Sequence, residues 1–173
     1  MPRSLQAKDG HSVWISAWLI KLKPLLKTDT KVLIAGMVKA LPRSVWPMLE
    51  RLLGATDTAA ALKKAKLIRV TPDLSLPLSS NPYPVTYPLE SSDWRITNHA
   101  NVFSRDSLDI GTRFFLQHLP LMRQAADIID LGCGNGVVGL QAAAQHPQAT
   151  MHFVDESFMP VASAQENFVR AFG

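Results

Sequence analysis

The sequence predicts an α/β chain in two pieces: the closing part of one α/β domain, a linker, and the opening part of a Rossmann-like nucleotide-binding domain. Three observations carry that expectation. Residues 126–139, Ala-Asp-Ile-Ile-Asp-Leu-Gly-Cys-Gly-Asn-Gly-Val-Val-Gly, run from an apolar stretch through an acid and alternating glycines into a second apolar stretch. That is the pattern of a buried parallel strand, a tight turn and a helix start. Residues 72–88 carry Pro72, Pro77, Pro82, Pro84 and Pro88 with serines between, a density that marks a linker or irregular crossing. Residues 32–36, Val-Leu-Ile-Ala-Gly, read as a buried strand followed by a helix. The boundary is placed near residue 75, which gives pieces 1–75 and 76–173.

From the N-terminus, residues 11–26 place Ile15, Trp18, Leu19, Leu22 and Leu25 on one helical face. After the strand at 32–36, a second helix starts near Pro42 or Ser44 and stops before Gly54, with Val45, Leu49, Leu52 and Leu53 apolar. Residues 59–70 read as a short helix or turn with a basic run, Lys63, Lys64 and Lys66, passing into a strand at 66–70. A solvated face is the default for those lysines, and an RNA contact is the alternative. Residues 85–89 and 94–98 form two extended segments around Glu90-Ser91-Ser92-Asp93, a hairpin pattern. Residues 108–119 are helical, with Leu108, Phe115, Leu116 and Leu119 apolar. A short strand at 151–154 ends in Asp155, and Pro160 opens a last helix bearing Val161, Ala164, Phe168 and Val169.

Composition narrows the function classes. A hydrophobic share of 47% is that of a globular chain, neither disordered nor spanning. No run reaches the roughly 18 apolar residues that cross a bilayer. Residues 1–10 show no apolar signal core, which leaves the cytosol as the expected compartment. The single cysteine, Cys133, excludes an internal disulfide framework and a multi-cysteine metal site, and the five histidines show no ligand spacing. Cys133 lies inside the glycine turn, where a small residue fitting a crowded bend is a better account than a nucleophile. A net charge of +4 favours polyanionic partners.

The turn itself points to a cofactor. Glycines at 132, 134 and 136 tolerate positive φ and keep a Cβ away from any ligand lying on the backbone. The turn is expected to present unpaired N–H groups and the positive end of a helix dipole. Asp155, 23 residues after Gly132, stands where a ribose-binding acid closes a nucleotide-type βαβ unit. A dinucleotide fingerprint can be read at Gly134, Gly136 and Gly139, but in that motif the first glycine ends the strand, and here Gly132 does so. The register is therefore G-x-G-x-G with Asp130 two residues ahead. An acid there suits a cationic amino group rather than a pyrophosphate. S-adenosyl-L-methionine has that ammonium, a carboxylate and a ribose diol; NAD is the alternative.

Asp130-Leu131-Gly132-Cys133-Gly134-Asn135-Gly136 resembles motif I of the class I methyltransferases. The block Asn98-His99-Ala100-Asn101-Val102-Phe103-Ser104-Arg105, continuing through Leu108-Asp109-Ile110-Gly111-Thr112, is similar to the segment upstream of motif I in the ribosomal RNA guanine-N2 methyltransferases. Within that group the chain is most similar to the large-subunit branch, with the small-subunit branch as an alternative. Trp94-Arg95-Ile96, residues 63–68 and Ile34-Ala35-Gly36 extend the similarity through nearly the whole chain.

The resemblance implies a degenerate methyltransferase-like N-terminal domain and a catalytic C-terminal one. It implies methyl transfer to the N2 of a guanine in 23S ribosomal RNA before subunit assembly, by a monomer that uses no metal and no membrane. It implies a cofactor site of Asp130, Gly132, Cys133, Gly134 and Asp155, with Phe103 as a lid. Core packing is the alternative for Phe103. Members of the group carry Asn-Pro-Pro-Phe after a fourth strand, and these 173 residues contain no such run. The chain is therefore expected to be an internal fragment, inactive alone, that holds no catalytic residue. An RNA-binding or interaction module without activity is the rival function.

Overall fold

The computed structural model describes residues 10–121 and 124–173, with side chains described from residue 15 onward. Residues 1–9, most of the stretch searched above for a signal core, lie outside the described residues. The chain divides into two compact units, Met1–Pro82 and Tyr83–Gly173, within the proline-rich stretch.

In the first unit, α1 (Gly10–Leu22) runs into a 3-10 turn at Lys23–Leu25 and is followed by β1 (Val32–Met37), α2 (Val45–Leu52), β2 (Thr56–Thr58) and β3 (Ala65–Val70). The sheet order is β1-β3-β2, antiparallel throughout, with Val32 opposite Val70 and Thr56 also opposite Val70. The apolar face expected of α2 is the buried one: Val45, Leu49, Leu52 and Leu53 join Leu19, Ile20, Ile68 and Val70 in the core. Two expectations change. The strand at 32–36 alternates between half-buried and exposed residues instead of being buried throughout, because an edge strand of an antiparallel sheet covers one face only. The buried face of α1 holds Ala17, Leu19 and Ile20, while Trp18, Leu22 and Leu25 are exposed. The helical period breaks at Leu22, so Leu25 leaves the face that continued α-geometry would have given it. Lys23 takes an inward position, its ammonium donating to the Pro77 carbonyl at 3.2 Å.

In the second unit, β4 (Val85–Pro88) and β5 (Arg95–Asn98) form the expected hairpin. Next come α3 (Ile110–Gln117), β6 (Asp127–Leu131), α4 (Val137–Gln145), β7 (Thr150–Val154) and α5 (Phe158–Phe172). Asp109 caps α3 by accepting from the Thr112 N–H at 2.9 Å. Strands β6 and β7 pair in parallel, Asp127 with Thr150 through Leu131 with Val154, and α4 makes the crossover. This βαβ unit is the expected one, with one correction: β6 is buried on one face only. Ile128 is buried, whereas Ile129 is 66% and Leu131 81% exposed. The sheet has two strands, and side chains of period two place Ile129, Leu131 and Val154 on the face away from α4 and α5. The other face packs Phe153 and Phe168 with Leu140, Val137, Ile96 and Tyr87.

Candidate cofactor site

The four glycines of residues 132–139 serve two different purposes. A Cβ placed on Gly132 (φ +73°) or Gly134 (φ +53°) would meet nothing within 4 Å, so those two face open space. At Gly136 (φ +81°) it would lie 2.8 Å from the Ala164 Cβ, and at Gly139 it would lie 2.3 Å from Phe153 Cε1. The last two glycines thus let α5 approach the turn and α4 approach β7. The dinucleotide register needs its second glycine open to a pyrophosphate, and in that register the second is Gly136, which is closed. The open pair is Gly132 and Gly134, as the methionine-type register requires.

The N–H groups of the turn differ from expectation: most are consumed inside the protein. Gly132 and Cys133 donate to the Val154 carbonyl at 2.7 and 3.0 Å, and Gly136 donates to the Cys133 carbonyl at 2.7 Å. Gly134 donates to Asp155 Oδ2 at 3.1 Å, Val137 to Asn135 Oδ1 at 3.3 Å and Gly139 to Asp130 Oδ2 at 2.9 Å. The reason is local. Two strand-end carboxylates lie close enough to satisfy donors that a bare helix start would leave free. What the turn offers outward is therefore carboxylate oxygen rather than an anion-binding nest. Asp130 Oδ1 has no hydrogen-bond partner among the described residues. Asp155 accepts one N–H on each oxygen, Gly134 on Oδ2 and Ser157 on Oδ1, which leaves a lone pair on each.

Burial pushes the Asp130 carboxyl above its usual value, the Asp155 charge adds to that, and the Gly139 N–H works against it. Burial, then the Asp130 and Asp155 charges, push the Cys133 thiol up to about 11. At neutral pH Cys133 is a buried neutral thiol, which rules against a nucleophile.

The structure brings Asp130, Gly132, Cys133, Gly134 and Asp155 together at the carboxyl ends of β6 and β7. Phe103 is on the loop after β5, 75% exposed, so it is not a core residue. That loop is tied to the same rim, since Asn101 Nδ2 donates to Ser157 Oγ at 3.3 Å.

Sequence reasoning missed the polar bracket that holds the turn. Asn135 Nδ2 donates to Asn98 Oδ1 at 2.9 Å and to the Tyr87 hydroxyl at 3.2 Å. Asn167 on α5 accepts from the Thr97 N–H at 2.7 Å and donates to the carbonyls of Thr97 and Asn135, both at 2.9 Å. Ser163, one turn earlier, accepts from the His99 N–H at 3.0 Å. A signal existed: Ser163 and Asn167 are four residues apart on the face that carries Ala164, and a polar pair there implies buried partners.

Residues 12–74 match the family described as RLMG N-terminal domain, and residues 93–171 match Methyltransferase small domain. The chain is 48% identical over 155 residues to ribosomal RNA large subunit methyltransferase G of Pseudomonas fluorescens (strain Pf0-1). It is 49% identical over 155 residues to the protein of that name from Streptomyces avermitilis. The family likeness thus runs through both matched stretches. The chain spans 41% of the length of both relatives, which cover 90% and 87% of it respectively. The T. thermophilus 16S rRNA N2 G1207 methyltransferase (RsmC), solved with AdoMet and guanosine, superposes with a TM-score of 0.72 at 18% identity, over 93% of this chain and 45% of that one. That likeness establishes a methyltransferase-like α/β fold for the chain. Among the described residues no three His, Cys, Asp or Glu side chains group as a metal site, and no helix is long and apolar enough to cross a membrane.

Proposed function

We propose that this chain binds S-adenosyl-L-methionine over its glycine turn and serves methyl transfer to the N2 of a guanine in 23S ribosomal RNA. The carrying observation is the open pair Gly132 and Gly134 set between two carboxylates that retain accepting capacity. The relatives' names support the large-subunit target. Asp155 accepts the ribose diol, Asp130 the ammonium, and Gly132 and Gly134 let the cofactor lie against the backbone. Cys133 contributes small size, and Phe103 covers the site from its loop. When bound, the cofactor supplies an electrophilic sulfonium methyl. The exocyclic amine of guanine is a weak nucleophile, so the protein's part is in-line positioning and exclusion of water.

None of these residues is assigned as a catalytic group, because the base-holding Asn-Pro-Pro-aromatic run is not among them. Residues 1–75 are assigned to the closing part of a degenerate methyltransferase-like domain and 76–173 to the opening part of the catalytic one. The RNA is taken up before subunit assembly, by a monomer in the cytoplasm. Thermal shift against S-adenosylmethionine, its demethylated product and NAD tests the cofactor assignment, since a ligand of the native state raises stability by mass action. Shifts with the first two and none with NAD are expected; a shift with NAD alone overturns it. The rival, an RNA-binding module without activity, is favoured by the basic N-terminal unit and would give no shift with any of the three.

A further inference from the structure

Charge is divided unevenly along the chain. Met1–Pro82 holds thirteen Lys and Arg against five Asp and Glu, while Tyr83–Gly173 holds five against nine. The net +4 of the sequence is thus a strongly basic unit and an acidic one. An acidic unit suits a cationic cofactor and repels phosphate, so a polyanionic substrate needs its grip elsewhere.

Within the basic unit, four lysines gather at one end of the sheet. Leu62 and Ala65 exchange backbone hydrogen bonds, each 2.9 Å, so Lys63 and Lys64 are the two central residues of a hairpin turn. Both have positive φ, 48° and 65°. A two-residue turn with both central φ positive is the type I′ geometry, which Asn-Gly adopts readily and residues with long side chains do not. Lysine at both positions goes against the local backbone preference, and such outliers point to a use for the side chains. The neighbouring connection adds Lys39, because the Val38 N–H donates to the Lys64 carbonyl at 2.8 Å. Lys66 follows on β3 opposite Gly36, its ammonium 5.2 Å from the centre of the Trp46 ring. No Asp or Glu occurs in residues 30–49 or 58–72, the stretches that supply this end of the sheet. Among the described residues none of the four lysines makes an ion pair.

We propose that this end of the N-terminal unit, with Lys39, Lys63, Lys64 and Lys66, is the surface that grips the phosphate backbone of RNA. The proposal rests on the RNA part of the reading above and is independent of methyl transfer. Four uncompensated ammonium groups around an exposed turn suit evenly spaced phosphates, and release of condensed counterions drives the association.

The test is fluorescence anisotropy with a fluorescein-labelled 20-nucleotide single-stranded RNA across a salt series, using the whole chain. The variant Lys63→Asn/Lys64→Gly removes two charges while suiting the turn better, so its melting temperature should equal or exceed that of the parent. Its affinity should fall roughly tenfold near 0.1 M salt, and the slope of log K against log salt should drop by about 1.4, from about 0.7 per phosphate contact on a single strand. The control Lys27→Ala/Lys31→Ala removes the same charge from exposed positions outside the patch and should keep most of the slope. Equal losses in the two pairs, or polyglutamate bound as tightly as RNA, would overturn the proposal. An absent S-adenosylmethionine shift beside the expected RNA results would remove the methyl-transfer reading and leave this surface supported.

Discussion

Cys133 shows how far a residue's chemistry is set by its neighbours. Its thiol is held at about 11 by burial and by the Asp130 and Asp155 carboxylates, against an ordinary value of 9.0. Near pH 8 it should carry roughly a hundredfold less thiolate than an unperturbed cysteine. Iodoacetamide alkylation should therefore be slower than that of a cysteine peptide by about that factor, and should accelerate toward pH 11. The same shift has a stability sign. The folded state resists ionisation that the unfolded chain accepts, so this contribution is lost as pH rises from 9.0 through about 11. Cys133→Ala should flatten that part of the stability profile, read by urea titration at several pH values. For the cofactor the ranking reverses in importance. Asp155→Ala should weaken S-adenosylmethionine binding by about 1.5–3 kcal/mol per lost charge-assisted hydrogen bond. Cys133→Ala should change binding little, since it keeps both size and backbone N–H. Calorimetric titration checks the order.

At the scale of elements, the glycine turn is a junction where α4, α5, β5 and β7 all meet. Gly139→Ala forces a Cβ to within 2.3 Å of Phe153 Cε1 and 3.0 Å of Asp130 Oδ2, so either the Phe153 ring or α4 must shift. The expected cost is about 1–3 kcal/mol, seen as a lower melting temperature. Gly132→Ala meets no atom but carries the positive-φ penalty of about 1–2 kcal/mol, and its further effect should fall on cofactor affinity. Asn167→Ala leaves the Thr97 peptide and the Asn135 carbonyl without their partner. Buried unsatisfied groups make that a loss on the order of 3 kcal/mol. Hydrogen exchange at Gly134 and Gly136 should rise in that variant, reporting a turn released from α5.

At the scale of the molecule, the two units carry opposite net charge, and the β6–β7 sheet leaves one apolar face open. Ile129, Leu131 and Val154 stand on that face beside the exposed pair His152 Nε2–Asp127 Oδ1 at 2.8 Å. Exposed apolar patches and unpaired strand edges promote association. The chain should therefore self-associate with rising concentration, and Ile129→Thr/Leu131→Lys should raise the concentration at which light scattering increases. Both positions point away from the packed face, so the melting temperature should hold.

Local and periodic signals determined much of this protein from sequence. The strand-turn-helix order, the spacing from Gly132 to Asp155, the apolar face of α2 and the hairpin around residues 90–93 each depend on neighbours within a few residues or on one helical period. The family likeness was also legible, from motif I and the block at residues 98–112. Tertiary structure decided what depends on partners distant in the chain. It separated the open glycines, 132 and 134, from the packing glycines, 136 and 139, because that difference lies in Ala164 and Phe153. It showed the turn's N–H groups already taken by Asp130, Asp155 and the Val154 carbonyl, where a helix start read alone leaves them free. It left Ile129 and Leu131 bare, because hydropathy records that a strand can be buried and only its neighbours determine whether both faces are covered.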